Sequence, residues 1–178
     1  NLVTKLVFPL EILPAVTVAA ALFHAITSLA VLIFFQLCNH ILIPGQAQGS
    51  ALTGLHPTLL WLPLVWIPLI CGCLALSWGL SALGVYLRDL TQVTGVIANL
   101  LMFLSAVFYP LSSLPPKWQP LLQLNPLVLI IEQTRRVAVN GLNPNLIYLT
   151  AGIAMSALAA ELAFRSFQKS RAGFSDVL

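Results

Sequence analysis

"YLRDLTQVTG", residues 86–95, holds an adjacent Arg88 and Asp89 between two apolar runs. From residue 12 to residue 87 the chain has no Asp, Glu, Lys or Arg at all. The whole sequence of 178 residues is 59% hydrophobic and 7% charged, against roughly a quarter charged in a soluble domain. Eight basic and five acidic side chains cannot coat a core of this size with charge, so lipid must be the solvent. An isolated charged pair in such a chain marks a turn where the backbone leaves the bilayer.

A spanning helix needs about 20 mostly apolar residues, because the hydrocarbon is about 30 Å thick and each residue rises about 1.5 Å. Four stretches meet that requirement: 14–37, 58–86, 91–109 and 142–164. They are too long and too continuous for the alternating strands of a lipid-embedded barrel, so an all-α integral membrane fold is predicted. Pro63 and Pro68 give the second span places to bend. With residues 1–13 cytoplasmic, Lys5, Arg88, Arg165, Lys169 and Arg171 fall inside and Lys117, Arg135 and Arg136 outside, the arrangement that the positive-inside rule favours. Residues 165–178 then form a cytoplasmic tail. The outer connection 110–141 is long and half apolar. Its "PLLQLNPLVLII" is too short to cross a bilayer and reads as a re-entrant or interfacial helical segment between the last two spans.

The absences narrow the chemistry. No lysine follows a glycine and precedes Ser or Thr, so this chain has no loop of that kind to cradle ATP phosphates. Glu11, Asp89, Glu132, Glu161 and Asp176 lie at span ends or in connections, which leaves no visible paired-carboxylate or HExxH zinc site. Cys38, Cys71 and Cys73 lack zinc-ligand spacing and read as structural thiols. A net charge of +3 is no nucleic-acid footprint. The span cores also lack the charged groups common in ion-driven pumps, so neither an enzyme nor an ion-driven carrier is favoured, and any energy source is expected in a partner.

Polar groups within the spans are the remaining candidates. Thr17, Ala20, Ala21, His24, Thr27 and Ser28 share one helical face; it either lines a translocation path or packs against another helix. Asn99 in the third span is expected to face the bundle interior, with or without touching cargo. On the outer side, Glu132 is spaced to meet both Arg135 and Arg136. Those guanidinium groups either form an exposed ion pair of small worth or steady a departing phosphate or headgroup.

Four stretches, "NLVTKLVFPLEILP", "GVYLRDLTQVTG", "FLSAVFYPLSSLPPKWQPLLQLNPLVLIIEQTRR" and "FQKSRAGFSDVL", occur in this order along the chain. Together they resemble the membrane subunit of ABC-2 type exporters, in the branch that moves O-antigen, capsular polysaccharide or teichoic acid. The resemblance covers essentially the whole chain. It implies a six-span permease of which this chain is the last four spans and the cytoplasmic segment before them; the beginning, at Asn1 and without a signal peptide, reads as truncated. By resemblance, Asn1, Lys5, Phe8, Pro9, Glu11 and Pro14 belong to a coupling segment that rests on the ATP-binding subunit, and Arg88 and Asp89 match the family's second cytoplasmic turn. Tyr109, Pro110, Asn125 and Pro126 match the short re-entrant helices that close the outer end of the path. Ala106 departs from the proline frequent at its place, and Arg135 with Arg136 extends a single arginine.

The resemblance implies a transport subunit without catalytic residues, metal or bound cofactor of its own, in the cytoplasmic (inner) membrane of a bacterium. ATP and Mg would be held by a partner ABC ATP-binding subunit. Two copies of the permease, among membrane lipids, would export a lipid-linked glycan. An ABC-2 exporter of small drugs or lipids is the nearest alternative, and an ion-driven carrier or channel a more distant one.

Overall fold

The computed structural model describes residues 12–42, 56–84, 89–123 and 125–171. Every regular element among them is helical: α1 (Ile12–Leu42), a 3-10 turn (Pro57–Trp61) leading into α2 (Leu62–Gly84), α3 (Leu90–Leu104), a 3-10 turn (Leu111–Ser113), α4 (Gln119–Gln123), α5 (Pro126–Ala138) and α6 (Leu146–Arg171). Three stretches are long and apolar enough to cross a membrane: Ile12–Cys38, Pro57–Gly84 and Leu146–Ser170. Phe23, Phe34, Ile147 and Met155 are among many large apolar side chains exposed along them. In water that surface would be prohibitive; in hydrocarbon it needs no cover.

Of the second expected span, 58–86, the described part lies in the 3-10 turn and helix over 57–84, and residues 85 and 86 lie outside the described residues. The first helix runs on past 37 to Leu42, and the last starts at Leu146 rather than 142 and continues to Arg171, so the predicted tail begins as helix. The third expected span, 91–109, corresponds to 15 residues of α3, about 22 Å at 1.5 Å per residue. The helix stops where Ala106 turns left-handed at φ 54°, just after Ser105, whose hydroxyl donates to the Leu101 carbonyl. Proline, held near φ −65°, cannot adopt that conformation; the departure at Ala106 is therefore a helix stop in place of a kink.

α2 is the spine. It forms its most extensive pairing with α6, and it also meets α1, α5 and α3. Pro68 is buried inside α2, and Gly152 of α6 lies against its ring, where an added Cβ would sit 3.6 Å from Pro68 Cβ. At one end Trp78 of α2 meets Phe164 of α6 edge-on, ring centroids 5.0 Å apart, beside buried Ala82 and Phe167. At the other end Leu62, Val65, Val137, Ala138 and Leu149 form the main core, drawn from α2, α5 and α6. That second end, closed over by α5, is the capped end below. Leu104 and Asn145 lie there too, while Pro14, whose carbonyl is 3.5 Å from the Ser77 hydroxyl, lies toward the opposite end.

The last four carbonyls of α5 are each accounted for. Arg135 O accepts from the backbone N–H groups of Val139 and Asn140, and Arg136 O from Leu142. The Thr58 hydroxyl donates to Val137 O at 3.0 Å, and Gln36 Nε2 donates to Ala138 O at 2.9 Å. Gly141, at φ 63° with His56 where a Cβ would go, lets the chain turn back so that these loop bonds form. Gln36 has no exposed surface, which is costly for an amide unless it is bonded.

Replacing Gln36 by Leu keeps the volume and removes the donor, leaving a buried carbonyl without a partner; the expected loss is about 1–3 kcal/mol. Thermal unfolding in lipid nanodiscs should show a lower midpoint for Gln36→Leu and for Thr58→Val, and no shift for the control Phe34→Leu on the exposed face of α1. Unchanged midpoints for both would show that the α5 end does not depend on these side chains.

Candidate functional site

The capped end gathers most of the polar side chains that the sequence singles out on its outer connection. α3 ends on carbonyls that face away from its own helix, and side chains from farther along the chain reach them. The Tyr109 hydroxyl donates to Phe103 O at 3.0 Å, and Asn125 Nδ2 lies 3.5 Å from Leu104 O. Arg135 spreads its fork across the turn that follows: Nη2 donates to Ala106 O at 3.2 Å and Val107 O at 3.4 Å, and Nη1 reaches Tyr109 O at 3.5 Å. The same Nη1 pairs with Glu132 Oε2 at 2.9 Å. A planar guanidinium with five N–H groups can hold such a spread of acceptors; an ammonium cannot.

α5 places Glu132 and Arg135 one turn apart, and its start is fixed locally. Asn125 Oδ1 accepts from the Leu127 N–H at 3.0 Å, with Pro126 at the first helical position, the usual chemistry of an N-terminal cap. Arg135 and Arg136 occupy its last turn, where cations offset the helix dipole. Glu132 meets only Arg135 in an ion pair. Arg136 is exposed and sends Nε to Asn143 O at 2.8 Å. Pro110 starts the 3-10 turn, its carbonyl accepting from the Ser113 hydroxyl at 2.7 Å.

Tyr109, Asn125, Glu132 and Arg135 meet around the end of α3; Pro110 and Pro126 adjoin them in sequence, and Arg136 turns to the loop after α5. The other candidates are not part of that cluster. Thr27 and Ser28 both donate to the His24 carbonyl within α1, at 2.8 and 2.9 Å, so their hydroxyls are satisfied inside the helix. His24 and Asn99 are exposed on α1 and α3 of the single chain, the latter in place of the expected interior position. Asp89 precedes α3 without a side-chain cap, its carbonyl accepting from Gln92 and Val93. Lys5, Phe8, Pro9, Glu11 and Arg88 lie outside the described residues. Among the described residues, no group of His, Cys, Asp and Glu is placed to hold a metal, and the three cysteines are free thiols.

Three residues that matter at this end escape a reading based on charge: Gln36, Thr58 and Gln133. Gln133 is buried, and its Oε1 accepts from the Asn145 N–H at 2.8 Å, which ties α5 to the start of α6. The available signal was a lone neutral amide within or beside an apolar run, since such a group must find a partner.

A family model described as "ABC-2 type transporter" matches residues 1–138. An O-antigen export system permease protein of Myxococcus xanthus, RfbA, is 28% identical over 178 residues, 99% of this chain and 64% of that protein. The protein of the same name from Klebsiella pneumoniae is 24% identical over 144 residues, 79% of this chain and 50% of that protein. This chain therefore spans 64% and 50% of the lengths of these two relatives.

The carbonyl contacts made by Arg135 distinguish it from its neighbour in sequence. Arg135→Lys keeps the charge and gives up the fork, so amide hydrogen exchange over residues 105–113 is expected to quicken by about tenfold or more, equivalent to about 1.4 kcal/mol. Arg136→Lys should leave that segment as it is. Equal protection in both variants would mean that the turn after α3 is held by something other than Arg135.

Proposed function

The chain belongs to the ABC-2 type transporter family, and from that premise we propose that it is part of the permease of an exporter that moves a lipid-linked polysaccharide across the bacterial cytoplasmic membrane. A transport role and a place in the membrane follow from the family and the apolar helices. The observation that carries the choice of cargo is the pair of relatives named as O-antigen export permeases. Lipopolysaccharide-type or capsular glycans are the substrate class this favours.

In this reading α1, the 57–84 stretch, α3 and α6 are four spans of a six-span subunit, and residues 110–141 form the re-entrant segment. α3 is short for a full crossing, and the proposal places its remaining depth in the adjoining segments. Two copies of the permease work with two ABC ATP-binding subunits, where ATP and Mg are bound. Residues 1–13, with Lys5, Phe8, Pro9 and Glu11, rest on the ATPase together with the Arg88–Asp89 turn. That turn adjoins α3 at the end opposite α5, so a push there reaches the cap through whole helices. His24, Thr27, Ser28 and Asn99 lie on faces uncovered in the single chain and line the path, while Tyr109, Pro110, Asn125, Pro126, Glu132, Arg135 and Arg136 form the outer closure.

A closure built on side chain to carbonyl bonds has a direct mechanical meaning. Opening requires α5 to leave the end of α3, and the Arg135 fork is the link that must break or travel with it. Such a contact can hold one of two arrangements, with nucleotide state in the partner biasing the choice.

Purification of the full-length protein with the ATPase encoded beside it tests the assembly. The expected product is a complex of two permeases and two ATPases that hydrolyses ATP and delivers glycan to the outer face of the membrane in cells. Arg88→Ala should lower export by about tenfold or more, about 1.4 kcal/mol in coupling, while the complex still assembles. A folded permease that never associates with the ATPase would overturn the exporter assignment, and full export by the Arg88 variant would remove the coupling role of the turn.

A further inference from the structure

Between α5, the loop that follows it and the start of α6 lies an open pocket of about 200 Å³. Seven of the residues around it carry a planar polar or aromatic group: Gln123, Glu132, Gln133, Arg136, Asn140, Asn145 and Tyr148. The internal bonding of the cap leaves much of this chemistry unspent. Gln133 is only 9% exposed; its Oε1 is committed to the Asn145 N–H, and its Nε2 has no partner among the described residues. Glu132 uses Oε2 for Arg135 and keeps Oε1 free. Arg136 uses Nε for the Asn143 carbonyl, which leaves both terminal nitrogens. The amides of Gln123 and Asn140 make no hydrogen bond among the described residues.

The Gln133 amide, with three further amides, a carboxylate oxygen and a guanidinium in the same lining, offers both donors and acceptors. Adjacent hydroxyls on a ring match that pattern, since each donates once and accepts twice. Tyr148 adds an aromatic surface on which the C–H face of such a ring can rest, an apolar body with a polar tip. Glu132 is already paired with Arg135, so Arg136 brings one further positive charge to the lining; the second Glu132 oxygen and the neutral amides beside it are what suit hydroxyls better than a bare anion, which would face that carboxylate. The volume lies below the roughly 300–1,000 Å³ of pockets for drug-sized ligands, which limits the occupant to one ring at a time.

We propose that this pocket binds a single pyranose ring of a glycan. The proposal deepens the export reading and rests on it for the source of the sugar; the chemistry of the pocket stands apart from it. A sugar seated between α5 and α6 would touch Glu132, the partner of the Arg135 fork. Its binding would therefore bear on the contact that holds α5 to the end of α3.

The test is saturation-transfer NMR on the full-length protein in lipid nanodiscs, with methyl α-glucopyranoside, methyl α-mannopyranoside and the methyl glycoside of N-acetylglucosamine as probes. Transfer to ring protons of at least one probe is expected. It should be weakened about tenfold, equivalent to about 1.4 kcal/mol, in a Gln123→Ala/Asn140→Ala variant, whose changes lie at exposed positions and leave the Gln133–Asn145 bond in place. Tyr148→Leu should weaken it as well, and excess inorganic phosphate should not displace the sugar. No transfer to any probe, transfer unchanged in the amide variant, or displacement by phosphate would each overturn the proposal, the last by revealing an anion site. Glycan export measured with the ATPase on the same protein separates the two readings. Export without transfer sinks the pocket alone, whereas transfer without export sinks the exporter and leaves the pocket standing.

Discussion

A helix that ends near membrane depth leaves carbonyls without partners, and hydrocarbon supplies no water to take their place. The end of α5 is organised around that constraint. Its last four carbonyls draw on three sources: the loop after it, Thr58 ahead of α2, and Gln36 far down α1. Because the donors come from different elements, satisfying one helix end also fixes where α1 and α2 stand relative to α5. The core of Leu62, Val65, Val137, Ala138 and Leu149 then closes over bonds that are already made. The buried Oε1 of Gln36 finds no partner among the described residues.

The end of α3 solves the same problem with different side chains, two of them, Asn125 and Arg135, from α5 and its cap. Ser105, Tyr109, Asn125 and Arg135 all serve carbonyls between Leu101 and Tyr109. Two helix ends are thereby coupled through one short helix. The consequence for function is that α5 cannot move without exposing carbonyls at both ends, unless another set of donors replaces those it leaves.

The pocket beside α5 makes use of what this bonding leaves over. Gln133 spends its oxygen on α6 and presents its nitrogen; Glu132 spends one oxygen on Arg135 and presents the other. Polar groups that are half committed to structure are already held in place before any ligand arrives, so less ordering remains to be done on binding. The same residues that steady the cap are therefore suited to sensing what lies against it.

The sequence by itself determined the solvent and the helical class, because those depend on long runs of apolar residues and on the scarcity of charge. Charge also marked Glu132 and Arg135 within an apolar chain, whereas Tyr109 and Asn125 were singled out by the resemblance to a family. Tertiary structure alone decided which carbonyls those side chains serve. It also decided that Arg136 parts company with Glu132, that α3 stops at Leu104, and that Gln36 and Thr58 meet α5. The physical reason is that a hydrogen bond between residues 36 and 138 leaves no periodic trace in the chain. Its donor is a neutral amide, its acceptor is backbone, and backbone carbonyls are the same at every position.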